Sequence, residues 1–91
     1  MNSGDILKEA TRLMATDRQD KYGDFVENHQ HISALWSAYL RTEITPDQCA
    51  LMMALVKIAR TRTSHTEPDH YIDAAAYIAG AGRCATEGKK A

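Results

Sequence analysis

The sequence lacks most of the features that would point to a chemistry. It holds two cysteines, Cys49 and Cys84, in 91 residues. They form no Cys-x-x-Cys and no Cys/His zinc spacing, so their expected state is two small buried thiols in a reducing compartment. The formal net charge is −1, which excludes the basic footprint of a DNA- or RNA-binding domain and a polybasic membrane patch. The longest apolar run, Cys49 to Val56, is far short of the ~20 residues that span a bilayer. Met1-Asn2-Ser3-Gly4-Asp5 carries no charged-then-apolar signal pattern, and cytoplasm is the expected location by elimination. There is no P-loop, no Gly-x-Gly-x-x-Gly, no Ser/His/Asp order and no cysteine-nucleophile signature. Strand alternation, internal repeats and low-complexity segments are also missing.

What remains is helical. Hydrophobic residues make up 44% of the chain, ordinary for a globular protein and too high for disorder. The length fits one domain over residues 1–91. The periodicity predicts an all-α fold of four helices. The first spans about residues 4–16, with Ile6, Leu7, Ala10, Leu13 and Met14 on one stripe and Ser3 as cap. After a polar stretch ending at Gly23, the second spans about 25–41. Asp24 and Glu27 open it in a capping-box pattern, and Phe25, Ile32, Leu35, Trp36 and Tyr39 form its apolar face. Thr45-Pro46-Asp47-Gln48 punctuates the start of the third, about 46–62: Thr45 caps, Pro46 suits the first helical position and Gln48 closes the box. The fourth follows Pro68, about 69–85, with alanines and glycines that let a neighbour approach closely. A polar tail covers 86–91.

The third helix predicts self-association. Cys49-Ala50-Leu51-Met52-Met53-Ala54-Leu55-Val56 is apolar all round, whereas a surface helix needs one apolar stripe. Three short helices do not easily enclose it, and a domain this small buries only roughly 60–65% of its unfolded surface. A second subunit on the far face would complete the burial; a monomer with a loosely covered central helix is the alternative.

Several polar residues interrupt these patterns. Lys57 enters the apolar helix and needs a partner, because an unpaired buried charge is costly; Arg60 lies three residues on. The partner is either a protein carboxylate or a ligand phosphate. Asp69, Asp73 and Tyr77 recur every four residues on one helix face. Two carboxylates so placed suit Mg²⁺ with phosphate oxygens, or equally two salt bridges to Lys57 and Arg60. Asp69 sits in the first turn, where the helix dipole already accounts for an acid. Glu27 and His31, also four apart, could present a metal ligand or a base with its orienting partner; the cap already explains Glu27. His29 and His31, two apart, point to different sides, and His65 and His70 lack a third zinc ligand. Arg18 with Tyr22 could hold a phosphate and stack on a base, or form an ordinary solvated loop.

Taken together, these segments resemble a small family of phage and prophage proteins. The resemblance rests on Ile6-Leu7-Lys8-Glu9-Ala10, Asp17-Arg18-Gln19 with Tyr22-Gly23-Asp24, Ala34 to Leu40, Ile44-Thr45-Pro46 with Ala50 to Met53, Lys57-Ile58-Ala59-Arg60, and Asp69-x-x-x-Asp73-x-Ala75-x-Tyr77. That family is in turn distantly similar to the MazG-like all-α nucleoside triphosphate pyrophosphohydrolases and to nucleotide-modification-associated phage domains. The resemblance implies a four-helix bundle assembled into dimers or higher oligomers, with acids holding Mg²⁺ over a triphosphate. Carried over, the first acid motif falls at Glu27, with Gln30 in its second acid place. The other falls at Asp69 and Asp73, four apart instead of three. At most three of four acids remain.

Losing a metal ligand removes charge neutralisation that phosphoanhydride attack requires, while Lys57, Arg60 and Arg18 can hold phosphate without metal. The reading that follows is a phage-encoded protein binding a nucleotide, or sequestering a cyclic-nucleotide immune signal, at a subunit interface. Its ligand-binding residues would be Arg18, Tyr22, His31, Lys57, Arg60 and Tyr77. A Mg²⁺-dependent pyrophosphohydrolase using Glu27, Asp69 and Asp73 is the enzymatic alternative. A structural or protein-partner module is the third.

Overall fold

The computed structural model describes residues 1–17 and 23–87, with the side chains of all of these but 16 and 17. Among the described residues the chain forms four α-helices and no strand: α1 (Ser3–Arg12), α2 (Phe25–Leu40), α3 (Pro46–Arg60) and α4 (Pro68–Glu87). A π-helical stretch, Leu13–Asp17, widens the path after α1, so the first helical segment runs as far as expected but not as one regular helix.

The helix starts follow local chemistry. Asn2, not Ser3, caps α1: its side chain accepts the Asp5 N–H at 2.8 Å while the Asp5 carboxylate accepts the Asn2 N–H at 3.3 Å. Ser3 was expected one residue too late, because the reciprocal acid stands three residues after Asn2. Asp24 caps α2 by accepting from both Val26 and Glu27. Thr45 and Gln48 form the full capping box of α3, with Pro46 in its first turn.

The α3–α4 pair is the spine. The inner side of α3 contributes Cys49, Ala50 and Ala54, and α4 answers with Tyr77, Ala81 and Cys84. Small residues on both helices allow close approach. The N-terminal end of α2 joins this cluster through Phe25 and Val26. On the other flank of α4, Ile72 and Ala76 meet Ala10 of α1, with Ile6, Leu13 and Met14 around them.

Three short helices leave α3 open within one chain, as its all-round apolarity implied, and the expectation for α2 is corrected. α3 is not enclosed: Leu51, Met52, Leu55, Val56 and Ile58 are exposed on its outer side. The apolar face of α2 is also only partly used, since Leu35 and Tyr39 are exposed and the buried residues are Phe25, Val26 and His29. Only the beginning of α2 reaches the cluster on α4; in its second half Trp36 is half-buried while Leu35, Tyr39 and Leu40 are exposed. No helix among the described residues is long and apolar enough to cross a membrane.

Candidate functional site

The start of α2 is pinned to α4 at two adjacent points. The carboxylate of Asp24 accepts from Arg83 at 3.3 Å while capping α2. The Glu27 backbone N–H is the main influence holding the Asp24 carboxyl below its usual range, and Arg83 adds to it. Immediately after it, the ring of Phe25 lies over Gly80, where any Cβ would overlap the ring carbons. Gly80 is therefore required by the close approach, not by its backbone angles.

One turn along α2, His29 stacks on Phe25 with ring centroids 3.9 Å apart and planes inclined by 18°. Its Nδ1 lies 2.9 Å from the Phe25 carbonyl; a carbonyl can only accept, so Nδ1 carries the hydrogen. Tyr77 of α4 stands 6.2 Å from both rings and closes an aromatic corner. From α3, Met53 and Lys57, one turn apart, face the same space. Lys57 Nζ lies 3.3 Å from Asp73 Oδ2, with the two side chains 14% and 24% exposed. Asp73 stands one turn before Tyr77 on α4.

Phe25, His29, Met53, Lys57 and Tyr77 line an open cavity of about 380 Å³, completed by Gly23, Asn28 and Ile32. That is the lower end of the range for small-molecule sites. It combines flat ring faces, one amide able to donate and accept, and one cation. A second cavity of the same volume, between α1 and α4, has Leu7, Ala10, Met14 and Ala79 on its walls and a single charge, Arg83. It lacks the convergent polar groups that orient a ligand. Neither thiol serves either cavity as a nucleophile: both are buried, and burial pushes Cys49 and Cys84 up from their ordinary range.

The structure brings together Lys57, Asp73 and Tyr77 of the expected residues. It separates the others. Arg60 and His31 are exposed, and Arg18 and Tyr22 lie outside the described residues. Glu27 and Asp69 are exposed too. Among the described residues no group of three His, Cys, Asp or Glu side chains could hold a metal ion. The expected set of Glu27, Asp69 and Asp73 is thus not assembled within one chain. The reason is register: α2 docks at Gly80, and Asp69 lies eleven residues earlier, about 16 Å along α4 at 1.5 Å per residue.

His29, Asn28 and Phe25 are cavity residues that reading the sequence missed. His29 was set aside as one of a non-pairing couple with His31. The available signal was its spacing of four from Phe25, which puts the two rings on one face.

Residues 5–85 match the family described as Domain of unknown function (DUF6378). The chain is 42% identical over 73 residues to the Gene 55 protein of Mycobacterium phage L5, covering 79% of this chain and 47% of that one. It is 40% identical over 75 residues to the Gene 55 protein of Mycobacterium phage D29, covering 82% and 50%. The chain spans about half the length of these curated relatives. No solved structure matches it.

Proposed function

We propose that this chain, which belongs to the DUF6378 family and has phage-encoded relatives, binds a nucleotide or nucleoside phosphate in the cavity between α2, α3 and α4. The observation that carries this reading is the placement of a largely covered lysine, 14% exposed, beside an aromatic corner. A base has a flat face to lay against Phe25, His29 or Tyr77, and aromatic stacking is worth ~1–3 kcal/mol per base where it occurs. A phosphate oxygen takes the charge-assisted hydrogen bonds of Lys57. Asp73 is then the stand-in anion that satisfies Lys57 when no ligand is bound, which avoids an unpaired buried charge. The walls come from one chain, so this reading needs no second subunit to form the pocket. In the host cytoplasm such a protein would sequester a nucleotide or cyclic-nucleotide signal and would work as an oligomer through the outer side of α3.

The test is thermal melting against nucleoside mono-, di- and triphosphates and cyclic di- and trinucleotides, with and without Mg²⁺. A ligand at a hundred times its dissociation constant adds about 2.7 kcal/mol to the folded state. Lys57→Met is expected to abolish the shift. Asp73→Asn is expected to keep or increase it, because the competing anion is gone. Analysis of the same samples for product separates the two nucleotide readings. Intact ligand supports sequestration. Monophosphate and pyrophosphate appearing only with Mg²⁺, and lost in Asp73→Asn, would replace it with a MazG-like hydrolase. No shift with any compound sinks both.

A further inference from the structure

The outer side of α3 carries information beyond its apolarity. At about 100° per residue, Asp47, Leu51, Leu55 and Ile58 fall within about 80° of arc, and Arg62 follows on the same side in the turn after the helix. The spacing from Gln48 through Leu51, Leu55 and Ile58 to Arg62 is three, four, three, four, which is the seam of a paired helix. Leu55 is 61% exposed, and Leu51 and Ile58 are 44% and 48% exposed. The seam carries its charge at the ends: at the start half-buried Asp47, on the edge of the seam towards Cys84 of α4, with exposed Glu43 just before the helix, and at the finish exposed Arg62.

We infer that two copies of this chain pair antiparallel along this seam, about a two-fold axis crossing α3 at the level of residues 54 and 55. The inference rests on the oligomeric part of the reading above and is independent of the nucleotide. Charge decides the orientation. In a parallel pair Asp47 would meet the partner's Asp47 and Arg62 the partner's Arg62, with the helix dipoles aligned unfavourably as well. In the antiparallel pair Asp47 meets the partner's Arg62. Leu51 meets the partner's Ile58, because 47 and 62 share their midpoint with 51 and 58. The two Leu55 side chains meet at the axis. A self-complementary patch of this kind is what a two-fold interface requires.

A receiving groove is present. A cavity of about 380 Å³ runs between the 42–44 loop and α3, with Ile44, Leu51, Met52 and Leu55 on its walls and Glu43 at its edge. In the antiparallel register the partner's Ile58 enters it, and the partner's Arg62 approaches Glu43. Lys57 lies about 120° around the helix from Leu51, so pairing leaves the ligand cavity open. A different protein seated on this face would have no reason to match the symmetry of the charged ends; a second copy does.

The test combines mass and cross-linking on the full chain. Sedimentation equilibrium is expected to give twice the chain mass, and Leu55→Glu to give the single-chain mass with an unchanged circular dichroism spectrum. Under mild oxidation Leu55→Cys is expected to cross-link to itself. Leu51→Cys and Ile58→Cys are expected to cross-link to each other in a mixture and neither to itself, since the two copies of residue 51 would lie about 10 Å apart along the axis. Cys49 and Cys84 are buried and do not compete. Asp47→Arg and Arg62→Asp are each expected to raise the dissociation constant roughly tenfold, and their combination to restore it. Self-linking of Leu51→Cys would mean a parallel pair and overturn the arrangement while leaving the oligomer. A single-chain mass at every concentration overturns both. A nucleotide melting shift that persists in monomeric Leu55→Glu shows the ligand reading surviving on its own.

Discussion

The two sides of α3 have exchanged the roles that a small domain normally gives them. The inner side is Cys49, Ala50 and Ala54 with the partly buried Met53 beside them, and among the described residues Cys49 is the largest side chain that is fully buried. The outer side is Leu51, Leu55 and Ile58, with Met52 and Val56 beside them, all exposed. Bulk is outside and smallness is inside. Small inner residues draw α4 close and give up burial energy, at about 25 cal/mol per Å² of apolar surface. The large residues that could have supplied that energy face away. The inner side thus sets the geometry of the monomer, and the outer side holds apolar surface that a single chain leaves unused.

The largest effect expected on the inner side is that of Phe25→Ala. Phe25, like Tyr77, both joins the core and walls the cavity, and its removal should cost ~3–5 kcal/mol. The converse change, Gly80→Ala, adds a methyl where the ring already lies. It should cost ~1–3 kcal/mol by overpacking, although alanine is the better helix former. Ile58→Ala, also on the outer side and 48% exposed, should change the stability of the monomeric Leu55→Glu background by less than ~0.5 kcal/mol. Urea titration of the three variants in that background checks the contrast. If Ile58→Ala cost as much as Gly80→Ala, the outer side would already be packed within one chain and the comparison would collapse.

The sequence displayed those parts of this arrangement that are settled locally. The Thr45–Gln48 box, Pro46 and the Asp24 cap are interactions across two or three residues, and all stand where expected. The apolarity of α3 was equally plain. Which of its sides would be covered was not, because that depends on the small residues of α4 choosing the inner side. For the same reason His29 escaped notice and His31 did not. Both are histidines on one helix, and only the docking of Phe25 on Gly80 decides that His29 turns inward. A lysine in an apolar helix demands an anion, so the need of Lys57 for a partner was legible, but that Asp73 and not Asp69 meets it depends on how α3 packs on α4. Glu27 and Asp69 were legible as acids but not as neighbours, since their separation is fixed by where α2 meets α4.

A smaller effect is expected at the Asp24 cap, which fastens the packed end of α2. Asp24→Ala should cost about 1 kcal/mol at neutral pH, the usual value of a cap. Its pH dependence has a definite sign. The folded-state pKa is depressed, so the contribution is present above the unfolded value near ~3.9 and is lost as pH falls through the folded pKa. The difference in melting temperature between wild type and Asp24→Ala should therefore shrink on acidification. A difference that stayed constant to pH 2 would mean that the charge and its Arg83 contact contribute nothing.

A further small effect has the opposite sign and tests the unpacked end of α2. Arg41 terminates that helix in a left-handed conformation, φ 56° and ψ 38°, and its N–H donates to the Ser37 carbonyl. A side chain is disfavoured there and glycine is not. Arg41→Gly should stabilise the protein by less than ~1 kcal/mol, because part of the relief is offset by the freer unfolded chain. Whether that gain reaches the global melt depends on whether the second half of α2 melts with the core. Tyr39, 87% exposed, and Leu35 add little apolar hold in one chain, and this half is tied chiefly by the Ser33 and Ser37 hydroxyls to the Ile44 backbone. In monomeric Leu55→Glu the gain should be muted, because fraying there is local. In the paired wild type it should appear in full if Leu35 and Tyr39 are covered by the partner. Equal gains in both backgrounds would show that the second half of α2 is held by α3 alone, and would confine the unused apolar surface to the seam of α3.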